Sequence, residues 1–294
     1  MQSFDERVTD RFARMRPAEQ RAAKFFQENR EEVLIGSAAA LALKAMTSDA
    51  TIMRTTKALG FASLDDMRRA LASELRNSLS PAARLTKTLS KVGGNPTAAF
   101  DMMLDVHLKS LESLRRTISA EHFDSAVSSI IDARRILVFG LGPSSAIANY
   151  FVIQLARFGL EAAGLANSGL LFADDLQKLR KGDLVVILAY SCVYQELGVL
   201  IDEIERRGIS SLLLTDTLAA KLRERVDLVL PVARGQADML STHTATLGLL
   251  EAILVGVASR RPAETLASLE GLNESRRKLA GKAVKLSTTA DRKS

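Results

Sequence analysis

The residues best placed to do chemistry lie in one short stretch, Arg134–Ser145, reading Arg-Arg-Ile-Leu-Val-Phe-Gly-Leu-Gly-Pro-Ser-Ser. Gly140 and Gly142 let the chain turn sharply and leave its backbone N–H groups uncovered. Ser144 and Ser145 then open an amphipathic helix, Ala146–Phe158. A helix N-terminus carries unpaired N–H groups and a partial positive charge, so such a turn suits a small anion. It also suits a plain strand-to-helix connection with serine as the cap. The stretch alone is compatible with both.

The elements that would position this turn follow from hydrophobic patterning. Ile136–Phe139 is an apolar run of the kind buried on both faces of a parallel sheet. Four further strands are expected, at 160–165, 184–189, 210–215 and 227–231, alternating with helices at 171–179, 194–207, 218–225 and 244–257. The expected fold class is therefore α/β, a doubly wound five-stranded parallel sheet. Preceding it, the sequence predicts a set of short helices, near 2–15, 17–29, 38–45 and 49–59. Pro17 suits a first helical turn, and Gly60 suits a helix end.

Two of these helices, Ala38–Ala45 and Asp49–Leu59, are separated only by Met46-Thr47 and the cap Ser48. This is the spacing of a helix-turn-helix, in which the second helix enters the DNA major groove. On the second helix, Ile52, Thr56 and Leu59 share the face expected to be buried. Thr51, Arg54, Thr55 and Ala58 share the adjacent face, and small hydroxyls with one arginine suit base edges there. A generic helical bundle with a solvated face fits the same pattern.

The stretch from Ser37 through Leu41-Ala42, Ala45, Ser48-Asp49-Ala50-Thr51-Ile52, Arg54 and Lys57-Ala58-Leu59-Gly60-Phe61 resembles the DNA-binding domain of the RpiR (ribose phosphate isomerase regulator) family. The likeness covers about residues 5–77. Met46 stands where that family usually has a turn glycine, Thr47 replaces an apolar anchor, and Thr55 replaces an aromatic. The resemblance implies a double-stranded DNA operator as partner, contacted by Ser37, Ser48, Thr51, Arg54, Thr55 and Lys57, with Ser48 and Lys57 nearer phosphates.

The α/β part resembles the SIS (sugar isomerase) domain over about residues 118–258. A second loop in that domain typically reads Ser-x-Ser-Gly-x-Thr-x-Glu and binds a sugar phosphate. Here it reads Ala189-Tyr190-Ser191-Cys192-Val193-Tyr194-Gln195-Glu196. Ser191 and Glu196 are kept, two small hydroxyls are lost, and a phenol enters. The resemblance thus implies an effector site of Gly140, Gly142, Ser144, Ser145, Ser191, Tyr194 and Glu196. Its ligand would be a small anionic carbohydrate derivative. A helix-turn-helix followed by a SIS domain is the usual order in RpiR regulators, so the implied function is ligand-responsive transcription regulation, not catalysis.

Two enzymatic alternatives stand beside it. A sugar phosphate isomerase needs an acid/base group beside bound phosphate, and the altered loop argues against it. A dinucleotide-dependent dehydrogenase needs a third glycine after Gly140-x-Gly142 and an acid at the end of the second strand; neither is present.

The organisation expected is a helix-turn-helix domain at 1–77, a linker at 78–97 that is partly helical around 82–92, a SIS domain with leading helices at 98–260, and a flexible basic tail at 261–294. From Arg260 onward, nine basic residues face four acidic ones, so most of the formal charge of +6 sits there. Such a tail is either solvated or a weak phosphate attractor. Phe100, Leu104, Leu108, Leu111 and Leu114 form a stripe suited to a dimer or to packing on the next domain. The expected assembly is a homodimer or homotetramer.

Cys192 is the only cysteine, so there is no disulfide framework. As a thiol near a helix start it is either a sensor or a filler. The three histidines lie far apart, and no metal or other cofactor is expected. His243 is either a turn histidine or a residue at the ligand mouth. The charged first 16 residues do not read as a signal peptide, and no apolar run spans a bilayer, so a cytoplasmic protein without membrane partners is expected.

Overall fold

The structure is a computed structural model, and it describes residues 3–78 and 80–280. The chain divides into two compact units. One comprises residues 1–106 with 235–242, and the other residues 107–234 with 243–294.

The first unit opens with α1 (Phe4–Phe12), α2 (Pro17–Glu28), α3 (Arg30–Ile35), α4 (Ala38–Lys44), α5 (Asp49–Ala58) and α6 (Leu64–Ser78). Ser3 and Glu6 form a capping box on α1, and Glu19 accepts the Arg16 N–H at the start of α2. Ser37 and Ser48 cap α4 and α5 by accepting the N–H of Ala40 and Thr51. Phe4, Phe26, Leu41, Ile52, Leu59, Met67 and Leu71 are all buried in one core. The short α3 was not expected from sequence, because its six residues are too few to show a helical period.

Two more helices follow, α7 (Pro81–Val92) and α8 (Pro96–Thr117). Ser80 and Pro81 start α7, and Gly93 ends it in the left-handed conformation. Thr88 and Val92 on α7 are buried. The division between the two units falls within α8, between Val106 and His107.

The second unit continues with α9 (Ala120–Asp132), β1 (Arg135–Gly140), α10 (Pro143–Arg157), β2 (Ala162–Leu165), α11 (Phe172–Leu176), β3 (Asp183–Leu188), α12 (Gln195–Arg207), β4 (Ser210–Thr215), α13 (Ala219–Leu222), β5 (Leu228–Pro231), α14 (Thr244–Arg260) and α15 (Pro262–Ala280). The five strands are parallel in the order β2-β1-β3-β4-β5. Ile136 and Val138 pack toward α9, α10 and α14, whereas Leu137 and Phe139 pack toward α11 and α12. Both faces of β1 and β3 are buried, which is why they read as continuous apolar runs. The fold is a helical N-terminal region followed by a doubly wound α/β domain, as the sequence implies.

One stretch departs from expectation. Residues 262–280, expected within a flexible tail, form the helix α15. Pro262 fixes its first turn, Thr265 is buried, and the space beside Gly159, just past the end of α10, is filled by Ser268. Small residues allow this close packing without the large apolar stripe that would have announced the helix. The remainder of the expected tail, 281–294, lies outside the described residues.

Candidate functional site

Two sites were expected, and each is built from short sequence elements. In the first unit, α5 packs against both α2 and α4. Two of its faces are therefore covered, and only Ser48, Asp49, Ala50, Met53, Arg54, Lys57 and Ala58 remain exposed. This corrects the expectation for Thr51 and Thr55. Thr55 is fully buried and donates its hydroxyl to the Thr51 carbonyl at 2.8 Å. Thr51 is 4% exposed. A threonine that satisfies its hydroxyl on its own helix can enter a core at little cost, so polarity misplaces it on the outer face.

Thr51 nonetheless serves the outer face. Its Oγ1 accepts from Arg54 Nη2 at 3.1 Å and lies 3.0 Å from Ser48 Oγ. Glu19 on α2 stands 3.9 Å from Arg54 Nε. Arg54 is thus held from two sides on an exposed face. At the other end of α5, Arg11 donates to the Ala58 carbonyl at 3.0 Å, and Arg7 reaches the carbonyls of Leu59 and Gly60 at 3.4 Å. Cations there complement the negative end of the helix. Met46, in the turn before α5, has φ 48° and is 79% exposed. A left-handed methionine is strained, which is the physical content of the missing turn glycine.

In the second unit, the β1–β3 register sets the geometry. Gly140 pairs with Leu188, so the loops leaving both strands emerge at one level. β1 lies between β2 and β3, so the chain passes from one side of β1 to the other. That is the switch point where an open parallel sheet opens a crevice. Gly140 is required: a Cβ there would lie 2.7 Å from the Ser144 carbonyl oxygen. Gly142, at φ 56°, caps α10. Ser144 is buried in the first turn, and Ser145 Oγ donates to the Gly142 carbonyl at 2.7 Å. An anion at this turn therefore competes with that carbonyl for the Ser145 hydroxyl.

The second loop is a tight turn. Ser191 has φ 64°, and the Cys192 N–H donates to the Tyr190 carbonyl at 2.7 Å. Positive φ in a non-glycine residue is strained and concentrates at functional sites. The Ser191 N–H donates to Asp216 Oδ1 at 3.2 Å, tying the loop to the end of β4. Tyr194 precedes α12 and is 57% exposed. Glu196 accepts the Gly169 N–H at 3.0 Å, and that bond holds its carboxyl below the usual range. Cys192 is a half-buried free thiol.

A cluster beside this loop was only partly visible in the sequence. Tyr190 is 6% exposed, and its hydroxyl lies 2.8 Å from Thr246 Oγ1. The Arg234 guanidinium sits 4.5 Å from the Tyr190 ring centre. His243 meets the same ring edge-on at 5.6 Å, and its Nε2 lies 3.0 Å from Arg234 Nη2. Burial, and next the Arg234 charge, push His243 down to about 4. Burial pushes the Tyr190 phenol up to about 12. A neutral imidazole accepting from arginine fits both. The sequence signal was Arg234-Gly235 just past the last strand, where a cation faces the ligand edge of the sheet. Among the described residues, no group of three or more His, Cys, Asp and Glu could hold a metal ion.

Comparison with known proteins finds a match for each of the two regions. Residues 3–78 match the helix-turn-helix domain of the rpiR family, and residues 129–256 match the SIS domain. The HTH-type transcriptional regulator HexR of Pseudomonas aeruginosa is 27% identical over 278 residues, 94% of this chain and 96% of that protein. The bifunctional protein glk of Burkholderia pseudomallei is 26% identical over 88% of this chain but only 40% of its own length. Among solved structures, Vibrio vulnificus NanR, complexed with ManNAc-6P, shares the fold at TM-score 0.58 and 20% identity. That likeness covers 94% of this chain and 99% of NanR. The sugar isomerase domain of an RpiR transcription factor from Sphaerobacter thermophilus does so at TM-score 0.54 and 22% identity, over 57% of this chain and 94% of that one. With an rpiR-type helix-turn-helix leading into a SIS domain, and HexR matched along nearly its whole length, the chain belongs to the RpiR family of DNA-binding transcriptional regulators.

Proposed function

We propose that the loops 140–145 and 189–196 together bind a small anionic carbohydrate derivative, and that its occupancy changes affinity for DNA without turnover of the ligand. The DNA contacts come from within residues 1–77 and the effector contacts from within 98–260. The observation that carries this reading is the Gly140–Leu188 register, which puts the glycine turn, the start of α10 and the Ser191 turn at the same end of the sheet. The α10 N-terminus favours an anion there. The SIS fold is shared with NanR, whose structure holds a phosphosugar.

The ligand class follows from what the loop has lost. Ala189 and Tyr194 replace small hydroxyls, so fewer short donors converge on a phosphate. A carboxylate or a singly anchored phosphate ester suits this crevice better than a tightly gripped phosphosugar. Non-catalysis is supported by the rpiR-type helix-turn-helix that precedes the SIS domain. On DNA, Arg54 reads a base edge, with Ser48 and Lys57 nearer phosphates. The protein acts as a homodimer or homotetramer on a two-fold symmetric operator. Phe100, Leu104 and Leu108, exposed along α8, support self-association. No described helix is long and apolar enough to cross a membrane, and a regulator of this family works in the cytoplasm.

The test is a thermal-shift panel of sugar phosphates, sugar acids and amino sugars on the full chain, followed by gel shifts with each ligand that binds. A ligand that raises the melting temperature and alters DNA affinity is the expected result. Turnover of any such ligand would overturn the reading.

A further inference from the structure

The chain between β5 and α14 leaves the sheet. Residues 235–242 group with the N-terminal unit. Within that unit the segment is fastened to α7: Lys91 Nζ donates to Gln236 Oε1 and to Asp238 Oδ2, each at 3.2 Å. The Leu240 N–H donates to Thr88 Oγ1 at 2.9 Å. Thr88 and Asp238 are both buried, so the bonds they make are partly shielded from water, while the Lys91–Gln236 bond is exposed. Gly235, at φ 78°, lies so close to Val106 that a Cβ there would sit 3.2 Å from its Cγ1.

The two residues that bracket this segment belong to the other unit and are fixed to each other. Arg234 and His243 are joined at 3.0 Å, and both pack on the Tyr190 ring. Tyr190 immediately precedes Ser191, whose strained turn forms the second effector loop. On the far side of His243, Thr244 Oγ1 lies 2.9 Å from His107 Nδ1 on α8. The segment is therefore a strap. Its ends are clamped together on the effector loop, and its middle is bonded to α7.

We propose that this strap, residues 235–242, couples effector binding to the N-terminal unit, with Arg234 and His243 as the positioning residues that transmit movement of Tyr190. The proposal rests on the reading of loops 140–145 and 189–196 as the effector site. Coupling requires an element whose position both sites bias. A loop of eight residues held at both ends has little slack, so a shift of its clamp must be absorbed by its other attachment, Thr88 and Lys91. The Ser191 turn supplies the movable part, because a strained non-glycine conformation can be rearranged by ligand contacts at low cost.

The test is hydrogen–deuterium exchange on the full chain, with and without millimolar inorganic phosphate as probe. Without phosphate, Arg234→Gln should raise exchange in peptides spanning 81–92 and 235–242 by about tenfold over wild type. Wild-type rates in that variant would overturn the proposal. With phosphate, wild type should change in 189–196, 235–242 and 81–92, and Arg234→Gln in 189–196 alone. A phosphate response confined to 189–196 in wild type would also overturn it. No response at 189–196 in wild type would count against the effector site instead, and the phosphate-free comparison would still decide the strap. Arg234→Lys keeps the cation over the ring but loses the planar fork toward His243. It replaces Arg234→Gln if circular dichroism shows that variant unfolded, with the same outcomes expected.

Discussion

Arg54 Nη2 donates to the Thr51 hydroxyl at 3.1 Å, so a nearly buried threonine orients the exposed arginine of the second helix of the helix-turn-helix. Arg54→Ala should cost about 1–3 kcal/mol of DNA binding and relax preference at one base position. Thr51→Val keeps shape and burial but removes the acceptor. It should weaken DNA binding several-fold with little change in melting temperature, since Arg54 then loses an orienting contact. Gel shifts against a set of operator variants read both effects. Unchanged base preference in Arg54→Ala would place the reading residue elsewhere.

Met46 should be replaceable with profit. Its φ of 48° costs about 1–2 kcal/mol for a residue with a Cβ, while glycine adds about 0.5–1 kcal/mol of unfolded-state entropy. Met46 is largely exposed, so little burial is lost. Met46→Gly should stabilise the chain by ~0.5–1 kcal/mol in urea unfolding. A loss of stability would mean that the turn is held by contacts of the methionine side chain.

Ser145 offers its hydroxyl to the Gly142 carbonyl. Ser145→Ala should weaken the effector several-fold, because a charge-assisted hydrogen bond contributes about 1.5–3 kcal/mol and this one must first replace an internal bond. Tyr194→Thr with Cys192→Gly rebuilds the family loop and should strengthen sugar phosphate binding. Titration calorimetry measures both. If the rebuilt loop gained nothing for sugar phosphates, these two positions would not set ligand class.

His243 gives a signed pH dependence. Its folded value is about 4 against 6.5 for the free group. Between those values the unfolded chain binds a proton that the folded chain does not, so stability falls as pH drops from 6.5 toward 4 and is full above 6.5. His243→Gln should flatten this part of a melting-temperature profile relative to wild type. Parallel profiles would show that the imidazole is equally protonated in both states.

Truncation after Arg261 removes α15, which packs against α10 and α14. The deletion should lower the melting temperature by about 3–6 °C, the shift expected for a loss of 1–2 kcal/mol in a chain of this size. A melting temperature equal to wild type would show that α15 adds nothing to the sheet domain.

The sequence by itself determined the type and order of most elements, α3 and α15 excepted. Ile136–Phe139 and 184–188 are apolar runs because parallel strands are covered on both faces, and that pattern is local. The caps Ser37 and Ser48 and the Gly140–Ser145 turn are likewise local, since each acts on backbone groups a few residues away. The altered loop 189–196 could be read against the SIS pattern residue by residue. What only the tertiary structure decided depends on which elements meet. Strand order put β1 between β2 and β3 and so made the ends of β1 and β3 the switch point of the sheet. Packing of α5 against both α2 and α4 buried Thr51 and Thr55, whose hydroxyls look exposed only while the second neighbour is unknown. α15 has too weak an apolar stripe to declare itself, and it forms where small residues let it approach α10. Tyr190 is more than forty residues from Arg234 and His243 in the chain. Their contact exists because β3, the exit of β5 and the start of α14 reach the same end of the sheet, a long-range coincidence that no local pattern encodes.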